Sequence, residues 1–361
     1  MNPGTLAIRA DAGVAMGTGH AMRCLALAQA WRQTGGNALF AMAESTPAIT
    51  RRLYEERIEV VRFQCPPGGV EDANGFEALA DECGVTWVAV DGYQFDSSYQ
   101  RTIKNSGCRL LWVDDNGHCT PYCADFVLNQ NIYAHAGMYS SCCFDTNLLL
   151  GPRHALLREE FLPWRRWQRD FAPVAKHVLV AMGGSDPQNA TAQVLNLLRQ
   201  SDLNIGVTVV IGGSNQHAES LREIVRESPA KFRLQTEVKD MAGLMGGADL
   251  AISAAGSSCY EFALLQVPMI LIALAENQGP TAQSLSEAGA ALSAGCFKNL
   301  DCKRLIETVR HLIPDCALRR SLAQGARQLV DGNGAHRVCE SLLRHKDSHH
   351  KTRLKVQVGT L

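Results

Sequence analysis

The chain has 361 residues, of which 46% are hydrophobic and 20% charged, and its 35 basic and 36 acidic residues leave a formal net charge of −1. This length is sufficient for two domains of ordinary size, and the composition is typical of a soluble globular protein. The balanced charge argues against nucleic acid or an anionic membrane surface as the main partner.

The sequence also bears on the compartment of the protein. Residues 1–5 contain neither a basic segment nor an apolar core, so we expect no signal peptide. The thirteen cysteines then indicate reduced thiols in a cytoplasmic protein. The apolar stretch 248–275 is interrupted by Asp249, Glu261 and Pro268, so we expect no membrane span.

A glycine-rich loop separates the first predicted strand, residues 6–8, from the first predicted helix, residues 24–31. Gly17 and Gly19 in this loop allow a ligand to approach the backbone closely. His20 stands at the helix start, where the helix dipole favours the neutral imidazole that can accept a proton. We therefore predict that His20 is a catalytic base; the alternative is a structural role as a cap of the helix.

The rest of the first half alternates predicted strands with predicted helices. The strands are expected at 38–43, 58–63, 86–90 and 109–113, and two of the helices at 47–55 and 76–83. This alternation indicates a parallel sheet, whose ligands lie beyond the carboxyl ends of the strands. Polar residues follow several of these ends, and we predict that Asp11 and Tyr93 among them contact substrate. Contact by Asp114 and Asp115 stays open.

The second half repeats the pattern after residue 177. Its strands are expected at 178–182, 207–211, 232–235, 250–253 and 269–272. Two glycine-serine turns before predicted helices can present N–H groups and hydroxyls to a diphosphate; they consist of Gly183, Gly184 and Ser185, and of Gly256, Ser257 and Ser258. Neither turn continues as a P-loop, which argues against a triphosphate-hydrolysing motor.

Three further polar residues complete the predicted site. Glu261 lies one helical turn beyond Ser257, where its carboxylate can accept two ribose hydroxyls or form a salt bridge. Asn277 and Gln278, at a helix start, can bind sugar hydroxyls or acetamido groups, or cap the helix. We expect no metal and no cofactor, because the Asp-x-Asp pattern of metal-dependent transferases is absent.

Several motifs resemble those of the pseudaminic-acid-pathway sugar-nucleotide hydrolases, which act on UDP-2,4-diacetamido-2,4,6-trideoxy-β-L-altropyranose. The resemblance covers roughly residues 6–345 in order, through the Gly-Thr-Gly-His loop that ends in His20, the Asp-Gly-Tyr sequence that ends in Tyr93, and the segments 149–158, 182–187 and 276–278. The second half is also similar to the bacterial cell-wall UDP-GlcNAc glycosyltransferases.

The resemblance implies an α/β, glycosyltransferase-B-like fold of two doubly wound parallel-sheet domains that face a cleft. We expect an N-terminal sugar-binding and catalytic domain at 1–151, a linker at 152–175 whose arginines form a solvated face, a C-terminal UDP-binding domain at 176–333, a helix crossing back at 334–346 and a tail at 347–361. The resemblance also assigns the base to His20 and substrate contacts to Tyr93 and Asn277. Gly92 before Tyr93 departs from the family pattern, as does Gly13.

The expected function is metal-independent, inverting hydrolysis of this UDP-sugar at the anomeric C–O bond, which releases UDP and the free sugar for pseudaminic acid biosynthesis. UDP is a good leaving group, so one general base suffices where ordinary glycosidases need two carboxylates. The glycine-serine turns would stabilise the charge that grows on the diphosphate. The alternatives are a glycosyltransferase, a hydrolysing 2-epimerase and a non-catalytic sugar-nucleotide-binding module.

Overall fold

The computed structural model describes residues 3–13, 16–142, 145–228 and 231–345, so the predicted tail at 347–361 lies outside the described residues. In the first half seven strands form one parallel sheet, in the order β3-β2-β1-β4-β5-β6-β7. The strands are β1 Thr5–Ala10, β2 Asn37–Met42, β3 Glu59–Arg62, β4 Val85–Asp91, β5 Arg109–Val113, β6 Phe126–Asn129 and β7 Asn147–Leu150. The strand order reverses between β1 and β4, which opens a crevice at their carboxyl ends.

Helices cover both faces of this sheet. They are α1 Gly19–Gln33, α2 Pro47–Glu55, α3 Val70–Cys83 and α4 Ser97–Asn105. All six residues of β1 are buried, which is why this strand reads as a nearly continuous apolar run. Gly13 and Gly17 bond to each other through their backbones, and Gly17 takes a φ of +81°, so the chain can turn sharply from β1 into α1.

The second half contains a six-stranded parallel sheet in the order β10-β9-β8-β11-β12-β13. Its strands are β8 His177–Ala181, β9 Gly206–Ile211, β10 Phe232–Thr236, β11 Leu250–Ala254, β12 Met269–Ala273 and β13 Leu292–Cys296. The helices that pack around it are α5 Ala190–Gln200, α6 Ala218–Arg226, α7 Met241–Gly246, α8 Ser258–Leu264, α9 Gly279–Glu287, α10 Cys302–Leu312 and α11 Cys316–Leu329. Its reversal point lies between β8 and β11 and faces that of the first sheet across the cleft.

The chain passes between the halves twice. The first passage contains the 3₁₀ segment Glu159–Arg166, in which Pro163 removes a backbone donor and prevents a regular α-helix. The second passage ends in α12, Gly334–Arg344, which packs against α1 and buries Val338 and Leu342 in the core of the first half. Within the described residues, no helix is both long and apolar enough to span a bilayer.

The predicted fold class is confirmed, and the elements that the sequence pattern did not predict have physical explanations. β6 has only four residues and follows a turn-rich segment. β13 includes Gly295 and has no β-branched residue, so it lacks a strand signature. α3 begins at Val70 rather than at residue 76, because Asn74 and Gly75 weaken the helix pattern although the helix continues through them.

Candidate active site

A cleft of about 900 Å³ lies between the two halves, at the carboxyl ends of both sheets. Almost all of the predicted site residues line it: Gly17, Gly19, His20, Tyr93, Gly183, Gly184, Ser185, Gly256, Ser257, Ser258, Glu261, Asn277 and Gln278. Residues more than two hundred positions apart in the chain are therefore brought together in one site. This volume is large enough for a ligand of the size of a nucleotide sugar.

The structure corrects the prediction for Asp11, which does not line the cleft. Its side chain is fully buried and forms an ion pair with Arg9 at 2.7 Å. The same oxygen accepts the backbone N–H groups of Ala43 and Glu44, at 2.8 and 3.0 Å. Asp11 does follow β1 at the edge of the sheet, but it is used there to hold the loops after β1 and β2 together.

His20 is paired with a buried carboxylate. Its Nδ1 lies 2.6 Å from Oδ1 of Asp91, the last residue of β4. Because a carboxylate accepts, this contact assigns the proton to Nδ1 and leaves Nε2 with a lone pair. Nε2 has no hydrogen-bond partner among the described residues, and His20 lines the cleft. In this pair a carboxylate orients an imidazole whose other nitrogen can accept a proton, which is the arrangement of a general base.

Arg23, one turn further along α1, joins two carboxylates in this network. Its guanidinium donates to both oxygens of Asp91, at 2.6 and 2.7 Å, and to both oxygens of Asp115, at 2.8 and 3.0 Å. Burial opposes ionisation of Asp91, but the charge of Arg23 and the hydrogen bonds from Arg23 and His20 outweigh it and hold the pKa of Asp91 well below its ordinary value. The pKa of Asp115 is lowered against burial in the same way, mainly by Arg23. Both groups are carboxylates at neutral pH.

Tyr93 links this network to the opposite wall of the cleft. Its hydroxyl donates to Oδ2 of Asp115 at 2.8 Å and accepts the Asn277 amide at 2.8 Å. Its ring contacts the His20 ring edge-on, with centroids 4.9 Å apart. Burial and the charge of Asp115 raise the pKa of Tyr93, so the phenol stays protonated. A chain of contacts thus runs from Asn277 in the second half to His20 in the first.

The glycine loop of the first half faces both glycine-serine turns of the second half. A Cβ atom on Gly17 would lie 3.7 Å from the Ser185 hydroxyl, and one on Gly19 would lie 4.0 Å from the Ser257 hydroxyl. A Cβ atom on Gly184 would lie 2.6 Å from Oγ1 of Thr18, so a side chain there would collide with the loop. Small residues therefore let the two walls approach each other closely beside His20.

Glu261 forms a salt bridge, one of the two roles that its position allows. Its Oε1 accepts from Arg158 at 2.9 Å, and Arg158 also pairs with Glu160 at 3.2 Å. Burial raises the pKa of Glu261, and the charge of Arg158 opposes that rise. Arg158 lines the cleft and is only 11% exposed, so this arginine of the linker does not lie on the solvated face that we predicted.

The role of Arg23 and the pairing of Asp91 with His20 were not predicted from the sequence, and contact by Asp115 was left open. Asp91 ends β4 and Asp115 follows β5, next to the strand-order reversal, and that position is the signal which could have selected them. Of the two residues left open, Asp115 lines the cleft, whereas Asp114 accepts from His118 and Tyr122 at 3.1 and 2.8 Å. In the described part of the chain, no three His, Cys, Asp or Glu residues form a group that could hold a metal ion.

Comparisons with known proteins agree with this architecture. Residues 177–329 match the Glycosyltransferase family 28 C-terminal domain. The chain is 32% identical over 233 residues to the spore coat polysaccharide biosynthesis protein SpsG of Bacillus subtilis (strain 168), covering 63% of this chain and 67% of that protein. The crystal structure of MurG from Acinetobacter baumannii superimposes with a TM-score of 0.63 at 17% identity, over 95% of this chain and 99% of that one, which supports the fold alone.

A third similarity bears on the predicted resemblance. The chain is 23% identical over 230 residues to a Helicobacter pylori protein named pseudaminic acid cytidylyltransferase and UDP-2,4-diacetamido-2,4,6-trideoxy-beta-L-altropyranose hydrolase, covering 63% of this chain and 40% of that protein. This match and the 233-residue match to SpsG are both longer than the second half, so both extend into the half that contains His20.

Proposed function

This chain belongs to the family of the spore coat polysaccharide biosynthesis protein SpsG, and on that premise we propose that it is an enzyme that cleaves a UDP-sugar between the anomeric carbon and the diphosphate. The observation that carries the proposal is the His20–Asp91 pair, which lies in the same cleft as the hydroxyls of Ser185 and Ser257. A base on one wall and a polar glycine-serine surface on the other suit a substrate with a reactive sugar and a charged leaving group.

The second half would bind the UDP part of the substrate. The turns at Gly183–Ser185 and Gly256–Ser258 offer backbone N–H groups and hydroxyls, which bind phosphate oxygens without large reorganisation. Glu261 lines the same wall and would accept the ribose hydroxyls. Tyr93, Asn277 and Gln278 would contact the sugar, because they lie where the two walls meet beside His20.

The chemical step requires a hydroxyl nucleophile. Nε2 of His20 would take the proton of that hydroxyl as its oxygen bonds to the anomeric carbon. The bond from this carbon to the diphosphate oxygen breaks at the same time, and UDP leaves with the electron pair. Attack from the face opposite UDP inverts the configuration of the sugar. Asp91 would hold the imidazole in the required tautomer and stabilise the imidazolium that forms.

The comparisons favour glycosyl transfer over the hydrolysis that we expected from the sequence. The second half is a Glycosyltransferase family 28 C-terminal domain, and the hydrolase resemblance depends on a relative that is 23% identical. We therefore propose that the nucleophile is a hydroxyl of an acceptor molecule. The acceptor would enter from the open side of the cleft, beside Tyr93, whose side chain is partly exposed.

Hydrolysis is the second candidate, and two observations favour it. The Helicobacter pylori relative, 23% identical over 230 residues, is named as a UDP-2,4-diacetamido-2,4,6-trideoxy-beta-L-altropyranose hydrolase. His20 is only 8% exposed, with the Tyr93 ring against it, and a water molecule reaches so covered a nitrogen more easily than a bulky acceptor does. In this version the substrate is UDP-2,4-diacetamido-2,4,6-trideoxy-β-L-altropyranose, and the product serves pseudaminic acid biosynthesis.

Release of UDP from defined sugar nucleotides tests the proposal. The purified protein is incubated with UDP-N-acetylglucosamine and with the diacetamido UDP-sugar, with and without candidate acceptors. UDP release that requires an acceptor supports transfer, whereas release in buffer alone, with ¹⁸O from labelled water in the sugar, supports hydrolysis. Analysis of the released sugar by NMR separates simple hydrolysis from 2-epimerisation. UDP binding without turnover of either sugar nucleotide would refute the enzymatic proposal.

A further inference from the structure

The linker between the two halves places Arg158 against Glu261, the acidic residue that we propose contacts the ribose. We propose that Arg158 is a positioning residue that holds the Glu261 carboxylate for the ribose hydroxyls, so that the linker determines whether the site selects a ribonucleotide. The inference rests on the proposed function, because it assumes that Glu261 contacts the ribose. Arg158 itself touches no substrate in this proposal.

The geometry leaves one carboxylate oxygen of Glu261 for a ligand. Oε1 is occupied by the Nη2 group of Arg158 at 2.9 Å. Oε2 has no hydrogen-bond partner among the described residues, and Glu261 lines the cleft with its side chain 15% exposed. An anchored oxygen and an available oxygen on one buried carboxylate are suited to accept hydroxyl donors in a fixed direction.

Arg158 is held by more than its contact with Glu261. Its Nη1 lies 3.2 Å from Glu160, which accepts from Arg52 of α2 at 3.0 Å, and its guanidinium packs over the Phe161 ring. Acidic and basic side chains thus alternate from α2 through the linker to α8. Because the Phe161 ring also supports the guanidinium, Arg158 orients Glu261 rather than following it.

Among the described residues, Arg158 is the cation paired with Glu261, and Arg165 of the adjoining 3₁₀ segment donates instead to Leu162 and Asn333. Burial favours the protonated form of the Glu261 carboxyl and raises its pKa, and the nearby Glu160 adds to the effect. α7 and β11, which pack against α8, carry no charged residue. The arginines of α11 are engaged elsewhere, with backbone carbonyls or a ring: Arg319, Arg320 and Arg327. Without Arg158 the pKa of the Glu261 carboxyl would therefore rise further.

Calorimetry with UDP and with 2′,3′-dideoxy-UDP tests the role of Arg158, because the two affinities can be compared without knowing which sugar the substrate carries. The wild-type protein should prefer UDP by roughly tenfold or more, since hydrogen bonds to an ionised acceptor are strong. In Arg158→Gln this preference should fall to a few-fold, and it should increase as the pH is raised, because the pKa of Glu261 is higher in the variant. The two ligands share their base and phosphates, so the ratio of their affinities reports on the ribose contact alone.

Three variants complete the experiment. Arg158→Lys keeps the charge and should retain most of the preference. Glu160→Gln removes the second carboxylate that pairs with Arg158, so that Arg158 pairs only with Glu261. The preference for UDP over the dideoxy ligand should then be at least as large as in the wild-type protein. Arg199→Gln removes an arginine from an ion pair with Glu227, outside the cleft, and should change nothing.

The outcomes distinguish this inference from the proposed function. A preference for UDP in Arg158→Gln that equals the wild-type preference at every pH would overturn the positioning role. A reduced preference in Glu160→Gln would also overturn it, and this test remains available if Arg158→Gln does not fold. A wild-type protein that binds UDP without discriminating against the dideoxy ligand would overturn it as well. A wild-type protein that does not bind UDP at all would instead refute the proposed function.

Discussion

The two walls of the cleft use different kinds of group. The first-half wall is a network of charged and titratable side chains, in which Arg23 joins Asp91 and Asp115 and Asp91 holds His20. The second-half wall contains the two glycine-serine turns, and its carboxylates are already engaged: Asp186 with helix N–H groups, Glu237 with Arg51 and Glu261 with Arg158. The difference is consistent with our proposal that the first half supplies the catalytic groups and the second half binds the nucleotide.

This division predicts different kinetic effects for substitutions in the two walls. A change in the charged network should lower the rate of the chemical step and leave the affinity for UDP nearly unchanged. A change in the glycine-serine wall should alter affinity first. Substitutions that affect both properties equally would show that the two walls act as one unit.

The largest effect should follow from His20→Asn. Asparagine keeps a polar group at the helix start but cannot take the proton of the nucleophile. We expect turnover of the UDP-sugar to fall by roughly 10²–10⁴-fold, the usual share of general base catalysis. Calorimetry should show nearly wild-type affinity for UDP. His311→Asn, an exchange in α10 outside the cleft, serves as the matched control. Turnover of His20→Asn at the wild-type rate would reduce His20 to a structural role.

Asp91→Asn should have the next largest effect. The amide cannot fix the His20 tautomer as a carboxylate does, so we expect turnover to fall by about 10²-fold, with UDP affinity retained. The folded-state pKa of Asp91 is lowered, so its contribution to stability is present above the ordinary carboxyl pKa of about 4 and is lost as the pH falls toward the folded pKa. Urea unfolding should therefore show a difference between variant and wild type that shrinks below about pH 4. A difference that grows in acid would contradict the charge assignment.

Gly184→Ala should have a smaller effect of a different kind. The new methyl group would collide with Thr18 across the cleft and hold the walls apart. Misfits of this kind cost about 1–3 kcal/mol, and because Thr18 can rotate we expect the lower end, near a tenfold rise in KM. The double variant Gly184→Ala with Thr18→Ala removes the collision and should restore KM. If KM stays high in the double variant, the alanine disturbs the Gly183–Ser185 turn itself rather than the contact with Thr18.

The same division explains how much of the site was predictable from the sequence. Glycine-serine turns and a histidine at a helix start carry local signals, so Ser185, Ser257 and His20 were predicted and do line the cleft. Asp11 and Asp91 carry the same local signal, since each follows a buried strand. Their different roles depend on which neighbouring loop each side chain meets, and that is decided by packing between elements distant in sequence.

The fold was more predictable than the network because it depends on repeated patterns. Strands such as β4 and β8 are continuous apolar runs between polar turns, and their alternation with helices specifies two parallel sheets. The contact of Arg23 with Asp115 spans 92 positions and leaves no periodic trace in the sequence. The same holds for Arg158 and Glu261, because a linker arginine reads as solvated until the packing of α8 against the linker is known.

The smallest effect, none at all, is expected from chelation. If the second-half wall binds the diphosphate through N–H groups and hydroxyls, negative charge is stabilised by dipoles already in place and no divalent cation is required. On the first-half wall, both carboxylates near His20 already accept hydrogen bonds from Arg23 through both of their oxygens and are poor candidates for metal ligands. Turnover of the UDP-sugar should therefore be the same in excess EDTA as in magnesium-containing buffer, with a magnesium-dependent sugar-nucleotide transferase as the control that loses activity. Loss of activity that magnesium or manganese restores would show that the diphosphate needs a cation, and that the N–H groups and hydroxyls of the second-half wall are not sufficient to bind it.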